Sequence, residues 1–121
     1  PARVAAVGSG LSPDTMYSAR TMMDVLAYMY GGNEILTFRD SLPLAGYNGT
    51  MKDRLEEPEF RGKVRAKTGY IAGASGLSGY AMTANGKTLI FSMIFNNISG
   101  YRYSIKPLED NICRVLVASS P

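Results

Sequence analysis

Gly62-Lys63-Val64-Arg65-Ala66-Lys67-Thr68-Gly69-Tyr70 decides how this chain is read. Arg61, Lys63, Arg65 and Lys67 recur at every second position, a spacing that places all four on one face of a strand. The run ends in Lys67-Thr68-Gly69. A lysine ammonium supplies positive charge and a threonine hydroxyl a hydrogen bond, a pair suited to holding a carboxylate. Glycine beside them lets a ligand or another backbone come close. The triplet reads equally well as a strand running into a turn, so its surroundings decide.

Downstream the strand period continues. Lys63 to Tyr70, Leu77 to Thr83 and Thr88 to Asn96 are read as three strands, with Ala84-Asn85-Gly86-Lys87 carrying the Asn-Gly pair of a two-residue hairpin turn. The spacing predicts one antiparallel sheet. Ile105, Leu108, Ile112, Val115 and Leu116 then form a helical stripe, with Pro107 in or near its first turn, and this helix is expected across a face of the sheet. Upstream, Ser18 reads as the N-cap of a helix to about Tyr30 with an apolar stripe of Met22, Met23, Leu26, Met29 and Tyr30, ended by Gly31-Gly32. Ile35 to Leu42 reads as a short helix stopped before Pro43, and Thr50 with Asp53 as a capping box for a turn reaching Leu55. Glu56, Glu57 and Glu59 read as surface charge.

Composition narrows the function. A chain of 121 residues with 45% hydrophobic and 19% charged residues has the makings of one ordinary globular core. A net charge of +3, with no basic cluster interleaved with stacking aromatics, gives no footing for a nucleic-acid partner. There is no histidine, which removes Ser-His-Asp and Cys-His mechanisms from this chain. Cys113 is alone and lies in an apolar helical pattern, so it reads as a small buried residue and not as a nucleophile. No apolar run has the roughly 18 residues of a membrane span. The abrupt Pro1-Ala2-Arg3 start reads as the interior of a longer protein.

Other landmarks accompany the triplet: Gly8-Ser9-Gly10-Leu11-Ser12, Leu42-Pro43-Leu44-Ala45-Gly46-Tyr47-Asn48-Gly49-Thr50, and Gly76-Leu77-Ser78-Gly79-Tyr80 ahead of Asn85-Gly86. With the Lys-Thr-Gly strand, a mark of active-site-serine penicillin-binding proteins and β-lactamases, this set resembles the C-terminal part of the D-alanyl-D-alanine carboxypeptidase/endopeptidase family of low-molecular-mass penicillin-binding proteins, over roughly residues 4 to 118. The resemblance implies an α+β chain, part of the serine β-lactamase/penicillin-binding protein transpeptidase fold, in which an antiparallel sheet carries packed helices. It implies a serine hydrolase of the bacterial cell envelope, outside the cytoplasm, cleaving D-Ala-D-Ala peptides of peptidoglycan through an acyl-serine intermediate. It implies a β-lactam as an alternative ligand, and no metal or organic cofactor. Lys67 would hold a positive field over the cleft and assist proton movement. Thr68 would bind the terminal carboxylate beside Gly69, and the Tyr70 backbone N–H would form half of the oxyanion hole.

Two departures stand out. The family's usual Asp before Gly-Ser-Gly-Leu-Ser is Val7 here, and its usual Thr after the triplet is Tyr70, whose bulk would narrow the cleft and bear on substrate preference. The larger gap is catalytic. Of Ser9, Ser12, Ser18, Ser41, Ser75, Ser78, Ser92 and Ser104, none has a lysine at the third following position. That spacing is what sets a neutral amine beside the hydroxyl as its base. Ser99 has Arg102 there, which stays protonated. A Ser-x-Asn is missing as well. The expectation is a C-terminal portion whose serine, lysine and Ser-x-Asn come from an N-terminal segment or separate chain, inactive alone. The alternatives are a non-catalytic, cell-wall-binding or structural relative, and a β-lactamase or esterase on the same scaffold.

Overall fold

The structure, a computed structural model, describes residues 2–7, 13–71, 73–96 and 105–121. Chain order is β1 (Ala2–Val7), α1 (Pro13–Tyr30), α2 (Ile35–Ser41), a 3-10 turn (Gly49–Met51), β2 (Val64–Ile71), β3 (Ala74–Met82), β4 (Thr88–Asn96) and α3 (Ile105–Ala118). The sheet runs β1-β4-β3-β2. β2, β3 and β4 form the expected antiparallel meander, in register Lys67↔Ser78 and Ser78↔Ser92. The fourth strand, β1, was not expected. It pairs in parallel with β4, Ala2 opposite Leu89 through Val7 opposite Ile94, and places β2 at the opposite edge.

Alternation sorts the strands' side chains onto two layers. Val64, Ala66, Leu77, Ala81, Leu89, Phe91, Met93 and Phe95 face α3 and form the larger core with Ile105, Cys113, Leu116 and Val117. On the other face Tyr80 and Ile90 meet Leu26 of α1 and Leu42, with Met23, Ile35 and Phe38 packed around them. The Tyr80 hydroxyl donates to the Leu26 carbonyl at 2.6 Å, so the phenol stays satisfied under the helix. On that same face Ser78 and Ser92, opposite each other on β3 and β4, share a buried hydrogen bond of 2.9 Å.

Gly79 fixes how closely β2 and β3 approach. A Cβ there would lie 1.9 Å from the Arg65 carbonyl oxygen and 2.7 Å from the Ala66 Cα, both backbone atoms, so only glycine fits.

Several local expectations need correction. α1 starts at Pro13, which leaves Ser18 inside the helix; proline suits a first helical position, where its missing N–H has no partner to lose. Its Met22 is 42% exposed, so the methionine stripe is only partly core. Thr50 lies inside the 3-10 turn with Asn48 at the N-cap and no side-chain cap, so the capping box does not form. The β3–β4 hairpin has a three-residue loop: the Thr83 N–H bonds Lys87 O and the Gly86 N–H bonds Thr83 O, and Gly86 alone takes positive φ, +78°. In α3 the buried stripe is Ile105, Glu109, Cys113, Leu116 and Val117, while Leu108 and Val115 are exposed. The Gly-Ser-Gly-Leu-Ser loop and Ser99-Arg102 lie outside the described residues.

Candidate active site

β2 is an edge strand, and only its first half is covered. The Ala45 N–H bonds Val64 O at 2.9 Å and the Ala66 N–H bonds Pro43 O at 3.0 Å, so residues 43–45 run along the outer side. Among the described residues, nothing pairs with that side beyond Ala66. Lys67-Thr68-Gly69-Tyr70 therefore occupies an open edge.

Backbone direction follows from the same bonds. Lys63 O accepts from Met82 N–H on β3, whereas Val64 O and the Ala66 N–H point outward. Alternation continues along the strand, so the Thr68 and Tyr70 backbone groups also point to the open side. The side chains divide differently. Thr68 and Tyr70 share the α3 face with Val64 and Ala66, and Lys67 shares the α2 face with Arg65, which donates to Leu42 O at 3.2 Å and pairs with Asp40. The Lys67 ammonium nonetheless comes round the edge and donates to the Thr68 carbonyl. Of the four basic residues expected on one strand face, Arg61 instead sits in a turn over the Tyr47 ring, 4.0 Å from its centroid.

Lys67, Thr68, Gly69 and Tyr70 line one cleft of about 480 Å³, together with Ser75, Gly76, Arg54, Lys106 and Glu109. The cleft thus lies between the open edge of β2 and the first turns of α3. Tyr70 is 64% exposed at its mouth. The Thr68 hydroxyl is 3.2 Å from the Thr50 hydroxyl, which the 3-10 turn brings alongside.

Beneath the cleft lies a charged cluster that sequence reading missed. Arg54 donates from Nε to Asp110 Oδ1 at 2.8 Å, and from Nη2 to Glu109 Oε1 at 3.1 Å and Lys106 O at 3.4 Å. Arg54 is 8% and Glu109 2% exposed, and among the described residues Glu109 Oε2 has no partner. Burial pushes the Glu109 carboxyl above its ordinary range, opposed by the Arg54 charge. The available signal was an acidic residue at an inward position of the α3 stripe, which requires a cation opposite. Elsewhere Arg114 holds Glu57 at 2.7 Å; a hydrogen bond from the Glu57 backbone, and then that guanidinium, keep the Glu57 carboxyl below its usual range. Burial pushes the Cys113 thiol up to about 12, so it is no nucleophile. Among the described residues, no group of His, Cys, Asp or Glu could hold a metal ion, and no helix is long and apolar enough to cross a membrane.

An open-edged Lys-Thr-Gly strand on a meander backed by a terminal helix is the frame of penicillin-recognising enzymes, and the chain belongs to the D-Ala-D-Ala carboxypeptidase 3 (S13) family, matched over residues 3–111. Its relatives include the D-alanyl-D-alanine carboxypeptidase DacB of Haemophilus influenzae, 34% identical over 98 residues, which cover 79% of this chain and 20% of the relative. A D-alanyl-D-alanine carboxypeptidase from Actinomadura is 38% identical, covering 77% of this chain and 18% of the relative. Penicillin binding protein 4 of Haemophilus influenzae superposes with a TM-score of 0.73 at 28% identity, over 84% of this chain and 24% of that one, and it has also been crystallised complexed with a β-lactam. The expected α+β fold and family are thereby established. The chain spans about a fifth of the length of the curated relatives it matches.

Proposed function

We propose that residues 1–121 are the C-terminal portion of a serine D-Ala-D-Ala carboxypeptidase/endopeptidase of the bacterial cell envelope, acting outside the cytoplasm. The carrying observation is the open edge: Thr68 and Tyr70 turn their N–H groups outward there, and the Lys67 ammonium reaches it from the opposite face. In this reading a peptidoglycan peptide or a β-lactam lies along that edge. Thr68 binds its carboxylate. The Tyr70 N–H donates to the oxyanion as the carbonyl carbon becomes tetrahedral, and Lys67 supplies positive field and helps move the proton. The side chains do the acyl chemistry, so no cofactor is required.

The nucleophilic serine, its lysine and the Ser-x-Asn come from an N-terminal segment. The exposed apolar side chains of α1 and α2, Val25, Tyr28 and Leu36, are suited to burial against it. The isolated chain is accordingly inactive. The test is acylation by a labelled penicillin. The 121-residue chain should not label, and in the protein that carries this chain with its Ser-x-x-Lys, Thr68→Val and Lys67→Ala should acylate slowly while melting like wild type, with Lys67→Ala the slower. Wild-type acylation by a folded Lys67→Ala protein overturns the assignment.

A further inference from the structure

The geometry points to Thr50 as a positioning residue for Thr68: its hydroxyl sets the direction in which Thr68 offers its single proton to a ligand carboxylate. The inference rests on the reading of Thr68 given above. A hydroxyl has one proton and two lone pairs, and a carboxylate can only accept. Thr68 Oγ1 lies 3.2 Å from Thr50 Oγ1. In the structure Thr68 donates to Thr50. When a carboxylate arrives, Thr68 must turn its proton to it, and Thr50 can then donate to the Thr68 oxygen. The two bonds align head to tail and strengthen each other.

The chain builds the loop that makes this possible. The segment covering the first half of β2 goes on to deliver Thr50 to the second half. Pro43 O and the Ala45 N–H tie it to the strand, Asn48 Oδ1 accepts the Leu44 N–H at 2.9 Å, and Met51 O accepts the Gly46 N–H at 3.0 Å while the Met51 side chain is fully buried. Gly49 turns the chain at φ +58°, where a Cβ would stand 3.1 Å from the Pro43 ring. With so many backbone ties and a buried anchor, an exposed 3.2 Å hydroxyl pair is not needed to hold the loop. Its consequence falls on the orientation of the Thr68 hydroxyl.

The experiment measures acylation rates in the protein carrying both this chain and its Ser-x-x-Lys, with benzylpenicillin and with its methyl ester, for wild type, Thr50→Val, Thr50→Ser and Thr68→Val. Thr50→Val should slow acylation by the free acid about three- to tenfold, the worth of one neutral hydrogen bond. Thr50→Ser should restore the rate. The penalty should shrink with the ester, whose neutral carbonyl is a weaker acceptor than a carboxylate. Wild-type acylation by Thr50→Val while Thr68→Val is slow overturns the role of Thr50 and leaves the proposed function standing. Wild-type acylation by Thr68→Val overturns both. Equal slowing with acid and ester, or failure of serine to rescue, overturns positioning in favour of a structural role.

Discussion

Replacing Arg54 by methionine tests the cluster beneath the cleft. The guanidinium makes three bonds to α3, and it is the cation for a Glu109 side chain that is only 3% exposed. Methionine fills similar space without charge or donors. Two carboxylates then face a buried site, and one oxygen of Glu109 already lacks a partner among the described residues. Breaking a buried pair in this way costs about 3–5 kcal/mol, or roughly 10–20 °C of melting temperature for a chain of this size. Glu109→Gln should behave differently, because its amide oxygen can still accept from Arg54 while the buried charge is gone and Asp110 remains as counterion. The pH dependence has a definite sign. Burial raises the folded-state pKa of Glu109 above the ordinary carboxylate range, so its contribution is fully present below the unfolded value and is lost as pH rises through the folded one. Wild type should therefore lose stability from that acidic range toward neutrality through this group, and Glu109→Gln should lack that component. Urea unfolding followed by circular dichroism, across that pH range, reads both effects. An Arg54→Met chain within about 1 kcal/mol of wild type at neutral pH, the size of a surface pair, or an unchanged pH slope in Glu109→Gln, would refute the reasoning.

Gly79→Ala places a methyl group into the Arg65 carbonyl, so β2 and β3 must part; a loss at or above the ~1–3 kcal/mol of ordinary overpacking is expected in the same unfolding assay. Cys113, fully buried with its thiol at about 12, should resist iodoacetamide in the folded chain near neutral pH and react promptly once urea unfolds it; fast labelling of the native chain would contradict its place in the core.

What could be read from the residues followed their periodicity. The meander was legible because β2, β3 and β4 alternate or run apolar between turn residues, and α3 because Ile105, Ile112 and Leu116 recur at helical spacing. β1 was not, since Ala2–Val7 is short and its partner lies at residues 89–94, and a parallel pairing leaves no turn signal between. Leu108 and Val115 were assigned inward from hydropathy alone, yet Glu109 takes the inward position because Arg54 meets it there, a tertiary fact that no local window contains. In the candidate site, Lys67, Thr68, Gly69 and Tyr70 could be picked out because their chemistry is compact in sequence, and the structure sets them along one cleft. Thr50 and Arg54 could not, because both reach the cleft through a loop whose path depends on pairing with β2.

The open half of β2 also carries a cost for the chain as a polymer. A bare row of strand N–H and C=O groups is a template on which another copy can add a strand, and proteins ordinarily blunt such rows with a proline, a bulge or a covering loop. Here the covering loop stops at Ala66, and a proline at 68 or 70 would delete the outward N–H groups at those positions. Among the described residues, the guard beyond Ala66 is the charge of Lys67, whose ammonium donates to the Thr68 carbonyl. Under the proposed function, the peptide groups that would receive a ligand are then the same ones that a strand of another copy could pair with.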